Sequence, residues 1–533
     1  MTTSLPRLHI RRRVDDTESP VSAMLKLNPM SPGLVLFESV MGGETRGRYS
    51  FIGLAPDLWW RARGGKAETS LSPEFKEVLS ASTDVMGSLR GFIDACKVSG
   101  MDGLPPMAAG AYGYLGYDMV RYVEELPAAK ADPNGVPEAM LMRPGVVLIF
   151  DGVKQEIIIA APERGGEAAT LARIDAIEAK LDQPMPPSRP NDAPVEKIEF
   201  ASNTTKERYL DMVEKAKTYI RAGDIFQVVP SQRFSAPFER SPFAFYRALR
   251  RLNPSPFMFY VNFGAFQISG SSPEILVRVR NGVVTVRPIA GTLPRGATPE
   301  ADLANEQKLL ADPKERAEHL MLLDLGRNDV GRVAARGSVE VTESFTVERY
   351  SHVMHIVSNV QGRLKAGEDM VSALAAGFPA GTTSGAPKIR AMEIITELEP
   401  HARGVYAGGV GYFGAGGDMD TCIALRTAVF AGGKIHVQAG GGVVYDSNPE
   451  SEFMETVHKA SALFRAAEEA ARYDRGTATT YSYRVRASNL AGDSLYSNVA
   501  SATTLAAGNT NSFNYVNTNI IAPNCLSSPM AVV

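Results

Sequence analysis

The stretch "PEILVRVRNGVVTVRPIAG", residues 273–291, constrains the fold more than any other part of the chain. Asn281-Gly282 sits between two runs of alternating residues, the signature of a two-residue type I′ hairpin whose central residues both need positive φ. That turn pairs Arg280 with Val283. Carried down the arms, the register puts Glu274 opposite Ile289, a carboxylate beside the methyl group of Ala290. The continuation "RPIAGTLPRG" (287–296) reads as a strand ending in a tight glycine turn, framed by Arg287 and Arg295. An antiparallel sheet is therefore built in. Where a lysine could stand at the centre of this turn, the chain has a methyl group.

Other segments add helices and strands. "TTKERYLDMVEKAKTYIRAGD" places Tyr209, Val213, Ala216 and Ile220 at helical spacing, with Thr204 or Thr205 as cap and Gly223 as stop. "IFQVVPSQRF" (225–234) and "RYSHVMHIVSNVQG" (349–362) read as strands, the second carrying His352 and His355. Proline-rich "LDQPMPPSRPNDAP" (181–194) marks a linker or long loop. It divides an N-terminal region, 1–195, from a motif-dense region, 196–474. From Gly476 onward only Arg484, Arg486 and Asp493 are charged, so 475–533 is a separate, atypical tail.

Composition excludes several classes. With 533 residues, 44% hydrophobic and 22% charged, and a net charge of −3, neither nucleic acid nor a membrane surface is expected as partner. No apolar run is long enough to span a bilayer. Arg11 to Arg13 are followed by no apolar stretch of a secretory signal. Cys96, Cys422 and Cys525 are too few and scattered for a disulfide framework or a metal knuckle, which suits a reducing cytoplasm.

Four glutamates carry the first chemical suggestion. Glu315 and Glu318 stand three apart in "PKERAEHLMLLDLGRNDVGR", and Glu452 and Glu455 do so in "PESEFMETVHKA". Each pair shares a helical face, where like charges repel unless a cation neutralises them. A hard divalent ion such as Mg²⁺ would do so; two unrelated solvated faces would read the same way. "GFPAGTTSGAPKIRAMEIITEL" (377–398) and "VQAGGGVVYDS" (437–447) offer glycine-rich anion sites, or simple tight turns. Arg426 and Lys459 are candidate counter-charges, or surface cations. No Ser/His/Asp or Cys/His constellation accompanies them.

Taken together, "FQVVPSQRF", "SSPE", "RPIAGT", "DPKERAEHLMLLDLGRND", "GTTSGAPKIRAMEII" and "ESEFMETVHKA" resemble, in order and spacing, the chorismate-utilising enzymes. "LVLFES" (34–39), "GRYSFIGLAP" (47–56) and "GYLGYDMVRYVEELP" (113–127) are similar to the component I branch of anthranilate synthase within that family. The resemblance covers residues 5 to 472. It implies an α+β fold of two packed antiparallel sheets with helices outside. It also implies conversion of chorismate and ammonia to anthranilate and pyruvate, the first committed step of tryptophan biosynthesis, with Mg²⁺ as cofactor. On this likeness Glu318 and Glu455 hold the metal, and Glu315 and Glu452 support it through water. Lys459, Arg426, Tyr406, Thr382 and the amides of Gly440 to Gly442 hold the substrate's carboxylates, while Gly291 and Thr292 shape the pocket around its ring. His355 lies beside the ring and Glu274 is the general acid.

The same likeness gives the missing lysine a meaning. Family members that add water carry lysine where this chain has Gln227, and members making aminodeoxychorismate usually carry it where this chain has Ala290. With neither present, external ammonia is implied as nucleophile. No G-x-C-x-G motif supplies it, so a separate glutamine amidotransferase subunit, or free ammonia, is expected. Glu38, Ser39, Asn253, Pro254 and Met258 resemble a tryptophan feedback site, with Phe257 where the family more often has tyrosine. An aminodeoxychorismate synthase is disfavoured by Ala290. Residues 476–504 resemble the last two strands of a fibronectin type III domain, followed by an expected disordered end; a binding appendage is the other reading of this tail.

Overall fold

The computed structural model describes residues 4–14, 16–39, 47–186, 195–349 and 353–473, and beyond them the backbone of four short strands between 479 and 504. Two large antiparallel sheets, of eleven and twelve strands, dominate residues 1–474. The first runs from Leu8–Val14 at one edge, through Phe257–Asn262 at its middle, to Lys434–Gly440, Ser231–Pro237 and the short strand Ala201–Ser202 at the other. The second runs from Ile289–Pro294 through Gly409–Gly414 and Gly110–Leu115 to Val78–Ser82. Both sheets mix strands from before and after residue 195. They face each other across an apolar layer in which Phe51 touches Phe37, Tyr112 and Tyr412, with ring centroids 5.2, 5.7 and 5.4 Å apart. Helices cover the outer faces, Pro449–Glu469 and Pro242–Leu252 on the first sheet, Pro313–Val333 and Lys388–Leu398 on the second. The α+β architecture expected from the sequence is the one found. Among the described residues no helix is long and apolar enough to cross a membrane.

The hairpin forms as its turn requires. Asn281 and Gly282 have φ of 49° and 73°, and Arg280 pairs with Val283 and Arg278 with Thr285. The extrapolated register fails beyond that point. The second arm is paired on its other side with Val353–Arg363 from Val283 onward, and it continues on that partner after Pro288, a residue with no N–H to give. The arms splay, and a small pocket opens between Glu274 to Leu276 and Val286 to Pro288. Glu274 therefore faces a cavity, not Ile289. "RPIAGTLPRG" is also no turn: Ile289–Pro294 is a strand with a bulge at Gly291, whose φ of +71° suits glycine. Its flanking cations are engaged elsewhere, Arg287 with Glu343 and Glu348, and Arg295 with Asp302.

Two further readings change in detail. "IFQVVPSQRF" is broken at Pro230: Gln227–Val228 pairs with Gly385–Ala386, and Ser231–Pro237 joins the large sheet. The helix Lys206–Arg221 stands as expected, capped by Thr205 and stopped at Gly223, whose φ is +82°. In the tail, described by itself, Thr479–Tyr483 pairs antiparallel with Ala500–Thr504. His352, Cys525, most of the linker and the expected disordered end lie outside the described residues.

One buried ion pair joins the loops that border the second sheet's helices. Arg403 is 3% exposed and bonds Glu399 through Nη2 at 2.6 Å and Nε at 3.0 Å. It also donates to the carbonyls of Thr383 at 2.7 Å and Val229 at 2.5 Å, and lies over the rings of Tyr117 and Tyr406. Ser231 completes the Glu399 carboxylate with backbone and hydroxyl bonds of 2.8 and 2.7 Å. Removing one partner of such a pair leaves an uncompensated buried charge. Arg403→Met is expected to lower the unfolding free energy by about 3–5 kcal/mol in a urea titration; an unchanged midpoint would mean that Glu399 finds another partner.

Candidate active site

The helices Pro313–Val333 and Pro449–Glu469 each start at a capped residue, Asp312 and Asn448, and each carries its glutamate pair in the first two turns. Carboxylates are favoured at helix N-termini, which by itself would explain these four. Their surroundings add more. Burial, followed by the charge of neighbouring glutamates, raises Glu315; burial likewise raises Glu318 and Glu452, with Glu455 adding repulsion in both. Glu452 Oε2 is buried with no hydrogen-bond partner among the described residues. Glu455 pairs with Lys459 at 2.6 Å, and Lys459 Nζ also donates to the Gly440 carbonyl at 3.0 Å. The four glutamates thus belong to one charged neighbourhood. Among the described residues, however, no group of three or more His, Cys, Asp or Glu converges closely enough to hold a metal ion.

Three glycines form the floor beside them. A Cβ on Gly440 would lie 2.8 Å from the Tyr406 hydroxyl, and one on Gly442 would lie 2.7 Å from the Gln227 amide nitrogen. The backbone can approach these groups only because no side chain intervenes. Gln227 donates from Nε2 to Glu318 Oε1 at 3.3 Å, and its own Oε1 is buried without a partner among the described residues.

Glu274 is buried, and burial pushes its carboxyl up to about 8 despite the hydrogen bond from Thr382 and the nearby charges of Lys459 and Arg426. Thr382 Oγ1 donates to Oε1 at 3.0 Å, which leaves Oε2 to carry the proton. His355, on the strand Val353–Arg363, is held neutral, because burial pushes it down to about 4. Its Nδ1 lies 3.1 Å from the Gly291 carbonyl and 3.0 Å from Thr292 Oγ1. A carbonyl can only accept, so Nδ1 carries the ring proton and Nε2 the lone pair. Arg426, at φ 46° between two strands, exerts its charge on both Glu274 and His355. Acid, neutral imidazole, cations and carboxylates are therefore linked in one site.

The second residue set lies in the first sheet. Glu38 and Met258 are direct cross-strand partners, and Asn253 and Pro254 lead into the same strand. Asn253 donates to Ser271 at 3.3 Å, and Ser39 Oγ is buried without a partner among the described residues. The Glu38 carboxylate is already engaged by Tyr246 at 2.5 Å and by Arg250.

Sequence reasoning missed the two buried ion pairs beneath the site, Glu399–Arg403 and Asp329–Lys388. The first has i,i+4 spacing, but Pro400 between them hides it as a helical pair. The second joins residues far apart in the chain and leaves no local signal.

A family model described as chorismate binding enzyme matches residues 54–465. Anthranilate synthase component 1 of Cereibacter sphaeroides is 56% identical over 474 residues, which cover 87% of this chain and 95% of that protein. The protein of the same description from Pseudomonas putida is 51% identical over 461 residues, covering 85% and 93%. Among solved structures, anthranilate synthase component I from Streptococcus pneumoniae superposes with a TM-score of 0.70 at 38% identity, covering 80% of this chain and 94% of that one. The menaquinone-specific isochorismate synthase of Escherichia coli, 18% identical with a TM-score of 0.66, shares the fold. Joined to the buried acid, the glycine floor and the paired glutamates, these likenesses place the chain in the chorismate-binding enzyme family, among the component I chains of anthranilate synthase.

Proposed function

We propose that this chain is the Mg²⁺-dependent, chorismate-binding subunit of a cytoplasmic anthranilate synthase, a lyase that takes ammonia from a separate glutamine amidotransferase. The observation that carries the reading is Glu274, a buried carboxyl protonated near neutral pH, in a site with no lysine at 227 or 290. A neutral acid of this kind suits protonation of a leaving hydroxyl.

The chain's own groups divide the work as follows. Lys459, Arg426, Tyr406 and the amides at Gly440 and Gly442 bind and orient the two carboxylates of chorismate. Gly291 and Thr292 border the ring. Ammonia attacks C2, the ring double bonds shift, and the C4–O bond breaks as Glu274 Oε2 gives its proton to the departing hydroxyl, which leaves as water; the ammonium group so formed at C2 gives up one proton to solvent. The unpartnered Gln227 Oε1 accepts a hydrogen bond from ammonia and so aims the nitrogen lone pair. His355 Nε2 then removes the C2 proton while the C3–O bond to the enolpyruvyl group breaks; the released enolate takes a proton to become pyruvate, and the ring becomes aromatic.

The donor set fits a hard divalent cation. Orphaned Glu452 Oε2 and the raised carboxyls describe surplus negative charge, and Mg²⁺ takes one or two carboxylates with water and ligand oxygens completing its shell. Glu318 and Glu455 would hold it, with Glu315 and Glu452 behind water. When bound it would supply Lewis-acid stabilisation of the ring carboxylate.

Two supports bear on ammonia and regulation. Cys96 and Cys422 are buried, and burial pushes Cys96 up to about 12 and Cys422 higher, so neither serves as an amidotransferase nucleophile. Glu38, Ser39, Asn253, Pro254 and Met258 are offered as a tryptophan feedback site, where the Ser39 hydroxyl is buried with no hydrogen-bond partner among the described residues.

The direct test is incubation with chorismate, Mg²⁺ and ammonium, followed by anthranilate fluorescence; accumulation of isochorismate or an aminodeoxychorismate instead would sink the assignment. At constant free ammonia the rate should fall as pH rises through about 8, because Glu274 loses its proton there. In Glu274→Gln that limb should vanish and kcat drop by about 10²-fold or more. Glu318→Gln should keep the wild-type circular dichroism spectrum yet need far more Mg²⁺ for half-maximal rate; an unshifted Mg²⁺ titration removes Glu318 as a ligand.

A further inference from the structure

Lys388 and Asp329 form an ion pair that no step above uses. Nζ lies 2.9 and 2.8 Å from the two carboxylate oxygens, and the side chains are only 8% and 6% exposed. Lys388 is the first residue of the helix Lys388–Leu398, and Asp329 lies in the helix Pro313–Val333. As a stabilising device the pair is poorly placed. A cation at a helix N-terminus opposes the helix dipole. A buried ion pair also gains little over apolar residues of equal volume, because both charges lose their water. What such a pair does supply is a fixed register between the elements it joins.

Those elements are the two halves of the site. Asp329 follows Glu318 by eleven residues, three turns and about 16 Å along the same helix face. Between them lie Leu322 and Leu325, against which the loop 377–387 rests: a Cβ on Gly381 would lie 2.1 Å from Leu325 Cδ2. The next residue, Thr382, donates to Glu274. The loop ends at Lys388. Glu274, Thr382, Gly381, Leu322, Leu325 and Asp329 wall the same cavity. The long helix therefore holds its glutamates at one end and, through Leu325 and Asp329, the loop that serves the acid at the other.

We propose that Lys388–Asp329 is a positioning pair: it fixes the 377–387 loop on the glutamate-bearing helix so that Thr382 reaches Glu274, and its loss slows the chemical step more than it weakens chorismate binding. The inference rests on the chorismate reading given above.

The test replaces the pair by apolar residues of similar size, Asp329→Leu with Lys388→Met, in the full chain, and measures kcat and KM for chorismate beside the denaturation midpoint. A merely structural pair predicts unchanged kcat, since such replacements are neutral or stabilising. A positioning pair predicts kcat lower by about tenfold or more, with KM within about threefold, in a protein as stable as wild type. A folded double variant with wild-type kcat overturns the proposal, as does a loss confined to KM. Should that variant not fold, Lys388→Arg decides: the cation is kept but its length and shape move the loop, so wild-type kcat overturns the proposal and a kcat-specific loss supports it. If the wild-type chain itself fails to consume chorismate, the functional reading falls and this one with it; wild-type turnover with unaffected variants sinks the positioning role alone.

Discussion

The guanidinium of Arg403 is the point on which the site's separate loops converge. It is enclosed by protein, opposed by the Glu399 carboxylate, and bonded to carbonyls two residues from Gln227 and one residue from Thr382. Its faces meet Tyr117 and Tyr406. A planar cation with five donors can satisfy several acceptors in fixed directions, which lysine cannot do. Four segments from distant parts of the chain are thereby set in one geometry. Burial keeps solvent from competing for these bonds, so the arrangement is rigid before any ligand arrives.

Rigidity is gained elsewhere by the absence of side chains. Gly440 and Gly442 let backbone come against the Tyr406 hydroxyl and the Gln227 amide, and Gly291 takes a positive φ that bulges the strand toward the His355 ring. Each removes a Cβ where another group must stand. The two sheets supply the frame. Their mutual packing through aromatic rings fixes the strands, and the strands fix where the glycines fall.

The charges of the site are tuned by burial more than by partners. Desolvation is the leading cause for Glu274, His355, Glu318 and Glu452 alike. It favours the neutral form, which is protonated for a carboxyl and deprotonated for an imidazole. Burial therefore leaves the Glu274 carboxyl protonated and the His355 ring neutral, without a dedicated partner for either. The glutamate pairs belong to the same field, and their surplus charge is what a divalent cation would relieve.

The sequence by itself determined what depends on neighbours along the chain. The type I′ turn at Asn281-Gly282, the capped helix after Thr205, the glutamate pairs three residues apart and the glycine runs were all readable, because turn dihedrals, capping and helical faces are local. The ordered motifs carried the family, and with it the α+β class. Only the tertiary structure decided where the hairpin arms part. Pro288 has no N–H to donate, and the second arm follows Val353–Arg363, its partner on the other edge from a distant part of the chain, so the extrapolated pairing of Glu274 with Ile289 gives way to a cavity. It likewise turned "RPIAGTLPRG" from a turn into a bulged strand. The pairs Glu399–Arg403 and Asp329–Lys388, and the pKa shifts of Glu274 and His355, were equally out of reach. Burial and long-range contact are properties of the packed chain, and no spacing of residues encodes how much water a carboxyl will lose.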